Sequence, residues 1–189
     1  MARWDPGTED RLRRAALELF VEHGYDDVTV TQIAERAGIT RRSYFRYFPD
    51  KREVLFAGSE QLPPVIAEAV RASEETSPPA IALDAARRVG VLLVERVGRT
   101  VERRAVIASS PELQERERTK SAAMTAALAD ALAERGAVEP GLLARLVAVC
   151  LQEAFERWLD TGEDFGACFD AVVASVRSAA ELFPSSVRS

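Results

Sequence analysis

The sequence predicts an all-α protein of about nine helices. Apolar residues recur at spacings of three and four along almost the whole chain, which is the pattern of helices with one buried face. Alternation of apolar and polar residues, which marks a half-buried strand, is nearly absent. The chain has 189 residues, 47% of them hydrophobic, so it is long enough to bury a full core without disulfides or metals.

Capping residues predict the first two helices. The first is expected to begin near Thr8, because a threonine N-cap followed by two acidic residues suits the positive end of a helix dipole. It ends at Gly24, which tolerates the left-handed conformation of a helix C-cap. Thr29 with Gln32 three residues later forms a capping box that opens a short second helix, and this helix ends before Gly38.

A third and a fourth helix follow closely. The third is predicted over residues 41–48, with Thr40 as its N-cap and Pro49 as its stop. Asp50 with Glu53 makes a second capping box, which predicts the fourth helix. The second and third helices are about seven and eight residues long and are joined by a turn that contains a glycine. This combination is typical of a helix-turn-helix, whose second helix enters the major groove of DNA.

Five more helices are predicted from prolines, glycines and N-cap residues. In chain order they lie between residues 64 and 78 and over residues 80–107, 111–135, 140–159 and 164–183, and the long sixth helix is expected to bend at Gly98. Cys150 and Cys168 are isolated within apolar helical patterns, so we expect reduced core thiols and not a disulfide framework.

Composition and motifs exclude several classes of protein. The longest stretch without a charge has nine residues, Ser121 to Ala129, whereas a membrane-spanning helix needs about 20 apolar residues. The N-terminus lacks the apolar run of a secretory signal, so a cytoplasmic protein is expected. The only histidine is His23, and the motifs of zinc proteases, redox dithiols and nucleotide-binding loops are absent from the sequence. We therefore expect neither an enzyme nor a protein with a metal or cofactor.

Basic residues concentrate around the third helix although the chain is acidic overall. The chain has 25 Lys and Arg against 30 Asp and Glu, which gives a formal net charge of −5. Between residues 36 and 52, six basic residues face one acid, Asp50. The six form what we call the basic cluster: Arg36, Arg41, Arg42, Arg46, Lys51 and Arg52. A local cluster on an acidic chain indicates a specific surface for a polyanion.

The third helix is predicted to have two different faces. Tyr44 and Phe48 lie four residues apart and are expected to pack against Ile33, Ala34 and Ala37 of the second helix. The opposite face is expected to contact DNA through Arg41, Arg42, Ser43, Phe45, Arg46 and Tyr47. Lys51 is expected at the N-terminus of the fourth helix, where backbone amides also attract anions. The alternative is that these arginines only solvate the surface.

The segment GYDDVTVTQIAERAGIT, followed by RRSYFRYFPDK, at residues 24–51 resembles the DNA-binding domain of the TetR family of bacterial transcriptional regulators, and the resemblance covers about residues 8 to 56. It implies phosphate contacts for Thr29, Thr40, Tyr47 and Lys51. It implies base contacts for Arg41, Arg42, Ser43 and Arg46. The family usually has Tyr at the position of Phe45 and His at that of Tyr47, so one hydroxyl contact is lost and another is gained.

The same resemblance implies two domains: a helix-turn-helix DNA-binding domain over residues 1–56, and a helical effector-binding and dimerisation domain over residues 57–189. Residues 103–114 and the later residues 156–159 are similar to the branch with an acyl-CoA-type effector domain that includes the mycofactocin regulators. The expected partners are a double-stranded DNA operator, a second copy of the chain and a small apolar effector such as an acyl-CoA or a fatty acid.

The second domain contains two sets of candidate residues. Because the last two helices are too apolar for one small domain to cover, we expect a four-helix bundle across a two-fold axis, formed by Leu142, Leu146, Val149, Phe169, Val172, Val173 and Val176. An apolar pocket is expected to be lined by Val94, Val97, Met124, Leu128, Phe155 and Trp158, each of which also suits ordinary core. Arg103 and Arg104 are the cations expected near the phosphates of a CoA thioester.

The sequence thus predicts a homodimeric transcriptional regulator, a repressor that leaves a two-fold operator when its effector binds. Two alternatives stay open. One is a dimeric DNA-binding protein with no small-molecule effector, which ligand binding would exclude. The other is an all-helical carrier or binding protein without DNA affinity, whose basic cluster binds a protein. No residue decides between repression and activation.

Overall fold

The computed structural model describes residues 7–96 and 100–180, where the regular structure is helical. The nine α-helices of this part of the chain are α1 (Gly7–His23), α2 (Val30–Arg36), α3 (Arg41–Tyr44), α4 (Leu62–Arg71), α5 (Pro78–Arg96), α6 (Thr100–Ser109), α7 (Pro111–Glu134), α8 (Pro140–Thr161) and α9 (Phe165–Ala180). Two short 3-10 helices, Glu53–Leu55 and Ser59–Gln61, lie between α3 and α4. The predicted all-α class is confirmed. The helix count agrees for these residues, but the predicted fourth helix is a 3-10 helix and not an α-helix.

The third and fourth predicted helices are shorter than expected. Helix α3 ends at Tyr44, whose carbonyl oxygen accepts the N–H groups of both Tyr47 and Phe48 as the chain tightens into a turn. The predicted fourth helix is a single 3-10 turn, although Asp50 Oδ1 does accept the Glu53 N–H at 2.9 Å. Residues 54–56 are all buried. Three successive residues cover about 200° of an α-helix, too much for one buried face, and this favours the tighter turn.

Helices α5 and α6 occupy the region of the predicted helix over residues 80–107, on either side of residues 97–99. Gly98, where a bend was expected, lies outside the described residues. Helix α5 belongs to the second of the two packing units described next, and α6 belongs to the first.

The described residues group into two compact units. The first unit comes from Met1–Glu60 and Arg99–Ser121, and the second from Gln61–Gly98 and Ala122–Ser189. The first unit thus includes α6 and the start of α7 in addition to the amino-terminal helices. The division of function between residues 1–56 and 57–189 stays a prediction.

The first unit is built around α1, α2 and α3. Helix α1 buries the predicted stripe of Leu12, Ala15, Ala16, Leu19 and Phe20. Tyr44 and Phe56 are the largest fully buried side chains of this core. Helices α6 and α7 contribute Val106, Ile107 and Leu113 to it.

The second unit packs α4, α5, α8, α9 and the later part of α7 around its own apolar core. Its buried residues include Ile81, Leu132 and Phe169. Gly90 on α5 is buried, and a Cβ there would collide with the ring of Phe165 on α9, so close helix packing requires glycine at this position. None of the described helices is both long and apolar enough to cross a membrane.

Candidate nucleic-acid interface

Threonine caps fix the start of both helices of the helix-turn-helix. Thr29 Oγ1 accepts the Gln32 N–H at 3.3 Å while Gln32 Oε1 accepts the Thr29 N–H at 2.8 Å, which completes the predicted capping box of α2. Thr40 Oγ1 accepts the Ser43 N–H at 3.1 Å at the start of α3. Each threonine thus provides an acceptor for a backbone N–H group that has no partner within its own helix.

The turn between α2 and α3 closes as a Schellman motif. Gly38 has a φ of 73°, in the left-handed region, and its N–H donates to Glu35 O at 3.0 Å. The Ile39 N–H donates to Ala34 O at 2.9 Å, the second bond of the motif. The direction in which α3 leaves the turn is therefore fixed by backbone hydrogen bonds.

One face of α3 is anchored in the core. Tyr44 is fully buried, and its hydroxyl donates to Asp50 O at 3.0 Å. Burial raises the pKa of this hydroxyl, so Tyr44 stays neutral at any physiological pH. Phe48 is also buried, with its ring centroid 5.6 Å from that of Tyr44. Both side chains belong to the same core cluster as the predicted partners on α2, which confirms this face.

The other face of α3 and of the following turn is directed to solvent. Arg41, Arg42, Phe45 and Arg46 are exposed, and Ser43 and Tyr47 are half-buried. Tyr47 also packs partly against the core, so Arg41, Arg42, Phe45 and Arg46 are the predicted DNA-contacting residues of this segment that are fully exposed. Thr29 and Thr40 are exposed at the starts of α2 and α3. The contacts that these residues make with DNA stay predictions.

Two members of the basic cluster are neutralised inside the chain. Both terminal nitrogens of Arg36 bond the Glu22 carboxylate, at 3.0 and 3.3 Å, and this hydrogen bonding lowers the pKa of Glu22. Arg52 lies 3.2 Å from Asp50 and within 4 Å of two further carboxylates. Within the described residues, Arg41, Arg42 and Arg46 form no ion pair with an acid. The arginines of the basic cluster that have no acidic partner thus lie on α3 and in the turn that follows it.

Lys51 is bound to the turn that follows α1. Its Nζ donates to Tyr25 O at 2.6 Å and to Asp26 O at 3.4 Å, and it lies 4.1 Å from the centroid of the Tyr25 ring. Burial lowers the pKa of Lys51. The predicted position of Lys51 at a helix N-terminus is wrong, because a single 3-10 turn follows it. One of its three N–H donors is left for a phosphate, and that contact stays a prediction.

Two arginines that are distant in sequence hold the 3-10 turn after α3. The guanidinium carbons of Arg103 and Arg116 lie 5.3 and 5.0 Å from the centroid of the Phe56 ring. Arg116 also bonds both carboxylate oxygens of Glu53, at 2.7 and 3.0 Å, and lowers the pKa of that group. Arg103 Nε donates to Leu55 O at 2.9 Å. The sequence analysis did not predict these contacts. Arg103 is 48 positions from Leu55, and Arg116 is 63 positions from Glu53, so neither pair produces a local sequence pattern.

Arg103 is therefore engaged within the first unit. Its guanidinium lies 3.5 Å from Glu117, whose other oxygen bonds Lys120 at 2.6 Å. Burial raises the pKa of Glu117, but Lys120 and Arg103 outweigh it and the net pKa is lowered. Arg104 is exposed and also has interactions within the chain. The contacts expected between these two arginines and the phosphates of a CoA thioester stay predictions.

The predicted pocket residues pack into the core of the second unit. Leu128 is buried, and Val94, Met124, Phe155 and Trp158 are half-buried against the same cluster; Val97 lies outside the described residues. An open cavity of about 560 Å³ lies elsewhere, between α4 and α7. Its lining consists of Pro63, Pro64, Ala67, Arg71, Ala127, Asp130, Ala131 and Glu134. The cavity and the predicted pocket share no residue.

An exposed apolar stripe runs along α8. Leu142, Leu146 and Val149, at spacings of four and three, are 48%, 52% and 56% exposed. Val176 on α9 is also exposed, whereas Val172 and Val173 are half-buried against the core. Phe169 is buried inside the chain, so it does not belong to this surface. Four of the predicted dimer residues, Leu142, Leu146, Val149 and Val176, are therefore large apolar side chains exposed to water in the single chain.

The capped helices, the turn between them and the basic solvent face of α3 define a helix-turn-helix protein. Comparison with known families agrees: residues 12–57 match the family described as bacterial regulatory proteins, tetR family. The chain therefore carries the amino-terminal helix-turn-helix domain of the TetR family. The resemblance inferred from residues 24–51 is confirmed.

Two relatives illustrate this match. The HTH-type transcriptional regulator TcmR of Streptomyces glaucescens is 51% identical over 47 residues, which cover 25% of this chain and 21% of that protein. The protein named as mycofactocin biosynthesis transcriptional regulator MftR of Mycobacterium tuberculosis is 45% identical over 47 residues, or 25% of this chain and 24% of its own. The matched segment thus spans less than a quarter of either relative, so the activities of the whole relatives do not transfer with it.

A solved structure extends the likeness to the whole fold. The transcriptional regulator FadR from Bacillus subtilis, in complex with stearoyl-CoA, is 19% identical, and the match covers 87% of this chain and 95% of that chain with a TM-score of 0.60. At this identity the likeness shows a shared all-helical fold beyond the helix-turn-helix.

Proposed function

We propose that this chain is a DNA-binding transcriptional regulator, acting as a homodimer on a two-fold operator. The observation that carries the proposal is the solvent face of α3 and of the turn after it, where Arg41, Arg42 and Arg46 have no acidic partner within the described residues. The opposite face of α3 is fixed in the core by Tyr44 and Phe48. A short, rigidly held helix with unpaired arginines on its outer side suits the major groove, where Arg binds guanine edges bidentately.

The contacts divide by chemistry into two groups. Thr29, Thr40, Tyr47 and Lys51 are proposed to bind phosphates and so to fix the register of the protein on the duplex. Arg41, Arg42, Ser43 and Arg46 are proposed to read base edges. The division is supported by the positions of Thr29 and Thr40, which are exposed N-cap residues at the starts of α2 and α3.

Dimerisation is proposed to bury the stripe of Leu142, Leu146 and Val149 on α8 together with Val176 on α9. Pairing these helices across a two-fold axis would make a four-helix bundle. Two copies of α3 would then read half-sites about 34 to 36 Å apart, one turn of DNA, and the operator would share the two-fold symmetry of the protein. A regulator bound to bacterial DNA works in the cytoplasm, and that location is part of the proposal.

We further propose repression that is released by a small apolar effector, with an acyl-CoA or a fatty acid as the first class to test. The support is the bound stearoyl-CoA of the Bacillus subtilis FadR structure, which shares the fold. Effector binding in the second unit would favour a dimer in which the spacing of the two α3 helices no longer fits one DNA turn. The effector shifts this equilibrium only by its difference in affinity for the two states.

The experiment is selection of DNA from a random pool by the purified protein, repeated with Arg42→Ala and with a control, Arg118→Ala. Arg118 is also an exposed arginine, on α7, and it pairs with Glu115. The wild type and the control should enrich one two-fold sequence. Arg42→Ala should lose preference at one base position per half-site, at a cost of about 1–3 kcal/mol. No enrichment at low salt would contradict the proposal and favour a carrier protein without DNA affinity.

A DNA-binding dimer with no effector is the second candidate. It is favoured by the packing of Leu128, Met124 and Phe155 into the core of the second unit. Thermal unfolding with acyl-CoAs and fatty acids separates the two candidates. A ligand at 100 times its Kd adds about 2.7 kcal/mol to the stability of the folded state, and no shift with any member of these classes would favour the second candidate.

A further inference from the structure

Phe45 is an exposed aromatic side chain directly after α3, between Arg42 and Arg46 of the basic cluster. It is 46% exposed, although a phenyl ring gains most by burial. Tyr44 and Phe48 on either side of it in sequence are buried in the core, so the core does not need Phe45. A function for this ring has to be sought on the solvent side.

The ring is held in place. It meets the buried ring of Tyr44 edge to face, with centroids 5.6 Å apart and an interplanar angle of 82°. The Arg41 guanidinium lies over it, 5.8 Å from its centroid. Tyr44 is itself fixed by its bond to Asp50 O. Phe45 therefore presents a preorganised apolar surface, which loses little conformational entropy when it makes a contact.

The chemistry of this position differs from that of its neighbours. Arg42, Ser43 and Arg46 end in hydrogen-bonding groups, whereas a phenyl ring has no donor with which to bind a phosphate or a base edge. The major groove offers one apolar group, the C5 methyl of thymine. Cytosine presents an amino group near that position, and purines present acceptors, so each of these would leave a polar group against the ring without a partner.

We propose that Phe45 is a specificity-determining residue that contacts the C5 methyl group of a thymine in each operator half-site. The inference rests on the proposed function, since it requires α3 in the major groove. It deepens that function by naming the base and the atom that one residue recognises. The hydroxyl that a tyrosine would carry here would add a phosphate or water contact, whereas Phe45 has only its apolar surface to offer.

The test removes the thymine methyl group and the Phe45 ring, first one at a time and then both together. In the selected duplex, each thymine of a half-site is replaced in turn, symmetrically in both half-sites, by deoxyuridine, which lacks only the methyl. Affinity is measured for the wild type and for Phe45→Ala. Burial of one methyl group corresponds to about a fourfold change in Kd per half-site, and so to about fifteenfold for the pair. The wild type should lose this affinity at one thymine position, and Phe45→Ala should bind the two duplexes equally.

Controls separate this result from a general loss of binding. Val21→Ala truncates an exposed apolar side chain of α1 in the same unit and should keep the full methyl dependence. Arg42→Ala should bind more weakly yet keep the same thymine-to-deoxyuridine ratio. The inference is contradicted if deoxyuridine has no effect on the wild type at any position, or if Phe45→Ala keeps the wild-type ratio. If no DNA sequence is bound at low salt, the proposed function itself fails, and this inference fails with it.

Discussion

The two units of this chain differ in the surface that they expose. In the first unit, polar contacts between distant residues fix the apolar core: Lys51 bonds the turn after α1, and Arg116 bonds Glu53. The second unit also has polar contacts between distant residues, from Arg135 to Val70 O and from Arg87 to Asp170. In its core, Gly90 allows the Phe165 ring to approach α5. The comparison teaches that charge has two roles in the first unit, holding the fold and facing a ligand. The second unit instead exposes an apolar surface to water, the stripe along α8.

The largest effect is expected from a charge placed on the apolar stripe. Leu146→Glu should abolish dimerisation, because an unpaired carboxylate in a buried interface costs about 3–5 kcal/mol. Sedimentation of the wild type and the variant measures the change. Glu153→Ala, an exposed change elsewhere on α8, is the control and should remain dimeric. A wild-type protein that is monomeric at every concentration would show that the stripe is not the interface.

Gly90→Ala should destabilise the second unit by about 1–3 kcal/mol, since the new Cβ would collide with a buried ring. Gly141→Ala is the matched control, because a Cβ there meets only an arginine terminal nitrogen at 3.5 Å. That variant should be neutral or slightly more stable, given the better helix propensity of alanine. Urea unfolding gives both values. Equal stability of the two variants would contradict the packing described for α5 and α9.

Glu53→Gln tests the polar contacts of the first unit. The pKa of Glu53 in the folded protein is below its ordinary value of 4.5, so its stabilising effect is present above that pH and is lost as the pH falls through the lowered pKa. We expect a loss of about 1 kcal/mol at pH 7 that disappears in acid. Glu115→Gln, which removes an exposed partner of Arg118, should have little effect at either pH. Unfolding curves at the two pH values decide between a pH-dependent loss and a constant one.

The smallest effect is expected from Lys51→Ala. If one N–H reaches a phosphate, the variant should bind all DNA sequences slightly less well and the salt slope of log K should fall by about 1 per Lys51. Loss of the bonds to Tyr25 O and Asp26 O should also lower the unfolding free energy. A loss of stability with an unchanged salt slope would make Lys51 a structural residue only.

Local signals in the sequence predict the helix-turn-helix well. The capping box of Thr29 and Gln32, the N-cap Thr40 and the left-handed Gly38 act within a few residues, and all were confirmed. The 3-10 turn after α3 was not predicted, because it depends on three successive buried residues and on Arg103 and Arg116 from α6 and α7. The internal contacts of Arg103 were not predicted for the same reason, because a paired arginine on a helix has no local sign that it will be buried.

The basic cluster gives the most direct test of the account. Arg36 and Arg42 lie six residues apart and are both exposed, yet Arg36 is neutralised by Glu22 whereas Arg42 has no acidic partner within the described residues. Affinity for the selected duplex is measured for Arg36→Ala and Arg42→Ala beside the wild type. The account predicts a loss of about 1–3 kcal/mol for Arg42→Ala and less than a twofold change in Kd for Arg36→Ala. Equal losses for the two variants would contradict it, because affinity would then follow total charge and not the unpaired face of α3.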